Sequence, residues 1–594
     1  MMPKKKEKTS VLGQAGHATA PYNFVSLPQG VLTVPIEGGR GDEEECERAQ
    51  QSYRAHVLAP RRLSGHIALT IATKTAVFIG AEEGANFFAP CGTPVIPGSS
   101  LRGMVKNLFK IVTCGAMRSG EDYYDHTLYF RTMAGSNAGM RDLYNKEMSG
   151  TQSVDGKKAV TRTNADPGYL IQQKDDRRYY ICPAEYRVEP DKKDGSKYNT
   201  VDWDLPQRGE ASCYTGPMEG KASYTVHYAP RWEERIPVPE EVVQAYREDI
   251  SRKGVDLLDK QDKNGNEKIF LAREGQAAAE FTGNSDITFV VPCFYRQEKD
   301  GSIRHFGFGR FYRIPYRSSI GDHVLGMDCA GFDYADAVFG CKELWASRLS
   351  FTDALPETEV QMESAAYPCV LSEPKPTSVQ LYLEQKSKSG ELAHWDTKYV
   401  PIRGYKLYWH QKNSPAWRNP EQKETNVVKS RITPVKAGTR FYAHIRFERL
   451  SEDELGALLK TMQITGKQLC CKIGKGKSLG LGSVQIKPTL FLIDTSDIYR
   501  HAFDAAGGWN AAEREASEEE VQSYKTAFDE VLEERLSDET KQRYKRSISE
   551  LKQLLDWGRS QNPTWDAKIA QMTIGEGDKR FQERAILPRA LDVN

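Results

Sequence analysis

The hydrophobic positions fall into segments of different period. From Gly65 to Gly80 the chain is rich in β-branched residues and partly alternating, which predicts a strand. A Gly/Pro-rich loop follows. Leu101, Met104, Val105, Leu108, Phe109 and Val112 then recur at spacings of three and four, which predicts an amphipathic helix over Ser99–Thr113. Pro97-Gly98 breaks the chain just before it, and Ser99 or Ser100 would cap it. From about 120 to 325, long polar stretches (135–164 and 188–222) separate strand-like pieces at Tyr169–Gln172, Arg178–Cys182, Ile287–Gln297 and Phe306–Ile314. This pattern reads as a large β-rich insertion.

Beyond it, Tyr334–Phe339 reads as helix and Arg348–Asp353 and Arg440–Phe447 as strands. Ser451–Met462 reads as a helix with Ser451 and Glu454 as a capping box, and Lys472–Ile486 as a glycine loop entering a strand. The order strand, helix, interruption, helix, strand, strand, helix, strand predicts an α+β, RRM-like (ferredoxin-like) core with one long insertion. Five parts follow: a tail over 1–62 with one short ordered piece near Tyr22–Pro28, core over 63–119, insertion over 120–325, core over 326–492, and a helical extension over 493–594. In the extension, Val521, Tyr524, Phe528, Val531 and Leu532, then Tyr544, Ile548, Leu551 and Leu555, predict a helix pair broken near Leu536–Asp538 that packs on the core or on a neighbouring subunit.

Composition narrows the class. The 594 residues are 39% hydrophobic and 27% charged, the balance of an ordinary soluble protein. No run of about 18 apolar residues predicts a membrane span, and no apolar segment follows the basic start (Lys4, Lys5, Lys6, Lys8) to make a secretory signal. The eleven scattered cysteines point to a reducing, cytoplasmic setting. Their spacing does not support zinc, although a site from Cys91, Cys114 and His126 would be the form to look for. Net charge is only +1, but ten Lys or Arg against two acids lie between Lys398 and Arg440, with Tyr399, Tyr405, Tyr408, Trp409 and Trp417 among them. Cations beside flat rings compose a single-strand-binding surface; the alternative is a solvated basic loop anchored by its aromatics.

The sharpest local motif is GKGKSLGLGSV at Gly474–Val484. It is not a Walker A loop: position 471, where that motif needs glycine, is cysteine, and a strand follows instead of a helix. What remains is a glycine-rich turn with Lys475 and Lys477, whose amides would approach a sugar-phosphate backbone, or else a purely structural turn. The second motif, PGSSLRGM, would offer phosphate a helix N-terminus, with Arg102, Lys106 and Lys110 as a positive stripe. Any amphipathic helix with a basic face reads the same way.

Taken in order, PGSSLRGMVKNLF after a strand, DYADAVFG and SRLSFTDA at 333–354, RITPVKAGTRF at 431–441, LSEDELGALL at 450–459 and GKGKSLGLGSV resemble the RAMP proteins of CRISPR systems. YPCVLSEPKPTSVQLYLEQ and IRGYKLYWHQ (367–385, 402–411) resemble a type III branch with a long insertion. The resemblance spans about 60–490. It implies a modified RRM fold that lines a guide RNA (crRNA) and works with target RNA, other RAMP subunits and the large subunit of a type III complex. Carried over by position, Ser99, Ser100, Arg102 and Lys106 would meet the guide backbone, as would Gly474, Lys475, Gly476, Lys477 and Ser478. The segment from Lys406 to Lys429, with Arg431 beyond it, would lie in a thumb-like hairpin between guide and target. Such contacts are to phosphate and shape and suit guides of any sequence.

Target-cutting relatives carry an aspartate in the loop between first strand and first helix. Here that loop, Gly80–Gly98, has no aspartate, only Glu82 and Glu83. A scaffold role follows, with a divalent magnesium ion left open for the assembled complex and no other cofactor called for. The rivals are a ribonuclease, using Glu82, Glu83, Asp122 or Asp125 for target cleavage or His126, His305 or His323 for guide processing, and an adaptor that touches only protein.

Overall fold

The computed structural model describes residues 17–80, 86–131, 140–154, 157–174, 178–190, 200–204, 209–214, 223–249, 252, 256–258, 276–371, 377–386, 392–412, 417–425, 428–466, 469–503, 507–509, 512–573, 578–581 and 583–593. Glu82 and Glu83 lie outside them, so the sequence reading of that pair has no structural counterpart here.

The main sheet is built from four segments widely separated in sequence. Strand β1 (Tyr22–Val25) and helix α1 (Glu43–Leu58) precede β2 (Leu63–Thr73), whose alternating burial puts Ile67, Leu69 and Ile71 into the core. Helix α2 (Gly98–Val112) follows; then, after 220 residues, come α3 (Tyr334–Phe339) and the short β3 (Leu349–Phe351). Strand β4 (Tyr405–Tyr408) pairs with β1. Strand β5 (Arg440–Leu450), helix α4 (Glu452–Met462), β6 (Leu469–Lys472) and β7 (Ser483–Ile493) complete the core. Sheet order is β3-β5-β2-β7-β6, with neighbouring strands antiparallel. Counting the βαββαβ elements as β2, α2, β3, β5, α4 and β7, this is the ferredoxin-like order, with β6 added at the edge. The α+β class read from the sequence agrees.

Between α2 and α3 the chain forms a five-stranded sheet around Asp166–Gln173 and Ile287–Gln297 and a four-stranded sheet around Glu210–Tyr214 and Ser223–Tyr228. Their interior (Tyr169, Ile171, Ile181, Phe289, Val291) is a cluster separate from the main core. Helices α5 (Glu518–Arg535) and α6 (Asp538–Leu554) cover the main core through Phe528, Leu532, Leu551 and Leu554. Helix α5 lies so close on α4 that a Cβ at Gly456 would stand 1.9 Å from the Tyr524 carbonyl oxygen.

Several local expectations need correction. The first strand ends at Thr73, and the chain beyond it is held by isolated bridges (Val77 to Val435, Gly80 to Phe87). Neither Ser99 nor Ser100 caps α2: the N-cap is Pro97, both serines lie inside the first turn, and the Asp353 carboxylate accepts from the Gly98 amide at 2.7 Å. The N-terminal region is more ordered than a tail. Asp42 caps α1 by accepting from Glu45 N, three glutamates fill its first turn, and Ala49 and Tyr53, one turn apart, seat it.

One buried ion pair joins these parts. Arg348, at the entry to β3, donates to Glu454 Oε2 at 2.8 Å and also bonds Glu454 Oε1. Glu454 accepts from Ser451 N to close the α4 capping box and lies 2.9 Å from His56 Nε2 of α1. Burial alone would raise the Glu454 carboxyl; the His56 hydrogen bond and the Arg348 charge and hydrogen bonds outweigh it and hold the group well below the usual range. With the folded-state value depressed, the stabilisation is present above the ordinary glutamate range and is lost as pH falls through it toward the folded-state value. Arg348→Ala should therefore cost about 3–5 kcal/mol, because it strands a buried carboxylate. Urea denaturation at neutral pH checks this; a loss below about 1 kcal/mol would contradict it.

Candidate nucleic-acid interface

The two motifs singled out in the sequence meet in space. Because β7 lies beside β2, the glycine loop at its start docks on the chain leaving β2: Lys475 N donates to Phe78 O at 2.8 Å and Gly482 N to Ala76 O at 2.8 Å. Glycine is required where these backbones touch. Gly474 has φ +80°, and a Cβ there would sit 2.3 Å from Phe78 O. At Gly482, with φ +82°, it would sit 2.1 Å from Ile473 O. Much of the loop's amide capacity is thus spent internally: Ile473, Lys475, Leu479, Gly480, Leu481 and Gly482 all donate to carbonyls. The structural reading of the glycines holds at these positions, and the loop offers a ligand chiefly its lysine side chains.

Those lysines line a cleft of about 570 Å³. One wall is the first three turns of α2, with Ser99, Ser100, Gly103 and Asn107. The other is the glycine loop and the end of β6, with Lys472, Gly474, Lys475 and Lys477; β4 closes it with Lys406 and Tyr408. Four lysines line the cleft, and no carboxylate does among the described residues. Lys475 is exposed, and its Nζ would stand 3.2 Å from a Cβ at Gly80. Lys406 Nζ lies 3.8 Å from the Tyr22 ring centre and 5.8 Å from that of Tyr408, so aromatic faces hold it instead of an acid. Burial lowers the affinity of Lys406 and Lys477 for their protons. Lys472 is pushed down to about 7, first by burial and then by the Lys477 charge; its Nζ donates to Leu481 O at 3.1 Å and supports the loop from beneath. Beside it, burial pushes His410 down to about 3, and its Nδ1 lies 3.0 Å from Ser483 Oγ.

Other candidates fall elsewhere. Arg102, Lys106 and Lys110 form no stripe. Arg102 donates to Phe339 O at 2.7 Å and lies over the Phe339 ring, and Lys110 is buried against Asp122 at 2.6 Å. Arg102 and Lys106 are not among the cleft-lining residues, nor are Gly476 and Ser478. Lys406 belongs to the cleft, not to a hairpin with Lys429 and Arg431. Those two are exposed between β3 and β5, where 361–369 meets 417–425 and 428–436 through the antiparallel bridges Met362–Val435, Ala366–Ile432 and Pro368–Arg418. Arg431 lies over the Tyr367 ring there. The histidines and acids weighed for catalysis are engaged in local bonds: His323 bonds the carbonyls of Val400 and Trp395, His305 bonds Tyr312 Oη, and Asp125 accepts from Ser319 and Gly321. Among the described residues no group of three or more His, Cys, Asp or Glu could hold a metal ion; Cys91 is exposed while Cys114 is buried in the main core. No described helix is long and apolar enough to cross a membrane.

Residues 70–199 match the family model of the RAMP superfamily. The match starts within β2, takes in all of α2 with its cleft-lining serines, and runs on into the β-rich region. It supports a protein of RAMP type. No curated protein matches the chain. The glycine loop lies outside the matched residues, so its place against α2 is an independent observation from the fold.

Lys472, His410 and Tyr22 were missed in the sequence. Lys472 reads there only as the start of the glycine loop, whereas the structure makes it the last residue of β6, although its position between Cys471 and the first glycine of the loop was a usable signal.

The depressed Lys472 value makes the cleft proton-linked. A phosphate placed there favours the charged ammonium and draws in a proton, so affinity should fall as pH rises above about 7. Anisotropy titrations with single-stranded RNA at fixed ionic strength should show weaker binding at about pH 8.5 than at about pH 6.5, values on either side of the depressed Lys472 value and below ordinary lysine titration. In Lys472→Met most of this pH dependence should vanish; an unchanged slope would contradict the assignment.

Proposed function

We propose that this chain is a guide-binding backbone subunit of a type III CRISPR ribonucleoprotein, used in antiviral, RNA-guided target recognition. The observation that carries the reading is the cleft with four lysines and no lining carboxylate among the described residues. Clustered ammonium groups raise one another's cost of ionisation, and an anion between them relieves it. A polyanion read through its phosphates, whatever its bases, is the ligand that such a cleft suits. The RAMP match over 70–199 supplies the class of polyanion, a CRISPR RNA. In this reading the segment bearing Lys429 and Arg431 faces the guide–target duplex, and residues 120–325 are an insertion that contacts other RAMP subunits or the large subunit.

The subunit holds RNA and does not cut it. The loop between β2 and α2 carries no aspartate, and metal-assisted attack by a 2′-hydroxyl demands a closely placed carboxylate.

Three outcomes check this. Lys475→Ala with Lys477→Ala should weaken guide binding and lower the slope of log affinity against log salt by roughly 0.7 per lost phosphate contact on single strands. Unchanged affinity and slope in a folded variant would remove the cleft from the interface. Separately, the chain purified from its cells should carry RNA fragments of discrete length with repeat-derived ends. The reconstituted complex with magnesium or manganese should show no target cut that disappears in Glu82→Ala/Glu83→Ala; such a cut would make the subunit a nuclease.

A further inference from the structure

The β6–β7 hairpin is a wall with a cleft on each side. Cys470 and Cys471 are consecutive in β6 and face opposite ways: Cys471 lines the four-lysine cleft, and Cys470, with its pairing partner Gln485, lines a second groove of about 960 Å³. The far bank of that groove is the end of α6 and the turn after it, including Lys552, Trp557 and Arg559. Leu555 lines both spaces, so they adjoin at this residue.

The bank is held in place from several sides. Trp557 stands edge-to-face on His410, with ring centres 5.6 Å apart, and His410 lines the first cleft. Arg559 donates to Val593 O at 2.7 Å and lies over the Trp565 ring; Gln553 donates to Ala590 O at 2.7 Å. Lys552 is exposed on the last turn of α6. Asp556 is the one carboxylate among the described lining residues, and its Oδ1 accepts from Gly558 N at 2.8 Å. The groove thus combines an indole, two cations and amide side chains, and it continues a cleft that has no acid among its described lining residues.

We infer that the C-terminal extension forms the second bank of the nucleic-acid track: a single RNA strand leaving the four-lysine cleft passes Leu555 and enters this groove, where a base stacks on Trp557 and phosphates meet Lys552 and Arg559. Aromatic faces interleaved with cations are what a strand of any sequence requires. The inference rests on the RNA-binding reading of the first cleft, and it gives the extension a ligand contact beyond its packing role.

The test uses the full chain and labelled oligouridylates of about 4 and about 12 nucleotides, lengths that bracket roughly the span of one and several contacts on such surfaces. Trp557→Ala should leave the short RNA's affinity unchanged and weaken the long one by about tenfold, within the range for one lost stacking contact. Trp557→Phe should restore the loss, and Lys552→Glu, at an exposed position, should reproduce its length dependence. Lys475→Ala/Lys477→Ala should weaken both lengths. If the extension variants bind the long RNA as the parent does while the lysine double variant still loses both, the second bank is refuted and the first cleft stands. Equal losses on both lengths for Trp557→Ala would also refute it, since they would report His410 displaced instead of a stack removed. Normal binding of both lengths by the lysine double variant would overturn the cleft reading and this inference together.

Discussion

Antiparallel pairing of β7 with β2, from Gly65 opposite Leu492 to Thr73 opposite Val484, is the constraint on which the candidate site depends. It joins segments some four hundred residues apart and sets the glycine loop against the chain that leaves the first strand. There the backbones approach within distances that leave no room for a Cβ at Gly474 or Gly482. The α2 N-terminus reaches the same place from the other side, because the β2–α2 connection must return across the sheet and Asp353, just after β3, fixes its first amide. Three segments from different parts of the sheet thus converge on a single cleft, and a shift of register in β7 would disperse it.

The chain treats charge in two opposite ways. In the core, Arg348 and Glu454 are buried together and every strong donor or acceptor around them is used, which locks α1, α3, α4 and β3 into one arrangement. In the cleft the charges share one sign. Lys406 is faced by tyrosine rings, Lys472 by carbonyl oxygens, and Lys477 is partly buried; burial lowers the proton affinity of each, and at Lys472 the Asp566 charge offsets this only in part. A fold with ample acidic residues elsewhere, 81 against 82 basic, places none of the described ones along this lining. That asymmetry supports ligand binding more strongly than the glycine motif does, because the glycines are accounted for by packing.

What the sequence made legible was periodicity. The α2 pattern from Leu101 to Val112, the Ser451/Glu454 capping box and the break between α5 and α6 each express a local rule, and the structure keeps all three. What it concealed was long-range. Nothing near Ser99 reveals that Asp353 takes over the cap. Nothing near Lys110 announces Asp122, and Lys406 reads as part of a basic run until β4 is seen paired with β1, beside the glycine loop. Helix α1 was legible but overlooked: Asp42 before three glutamates is a strong start signal, masked by a low hydrophobic content in which Ala49 and Tyr53 are the buried residues.

The most direct measurement is ultraviolet cross-linking in cells, with the chain then isolated and any RNA-bearing peptides identified by mass spectrometry. The account predicts adducts in peptides containing Lys475 and Lys477 and in the peptide that opens α2 at Ser99. Adducts confined to the β-rich region between α2 and α3, with none on the glycine loop or α2, would contradict it.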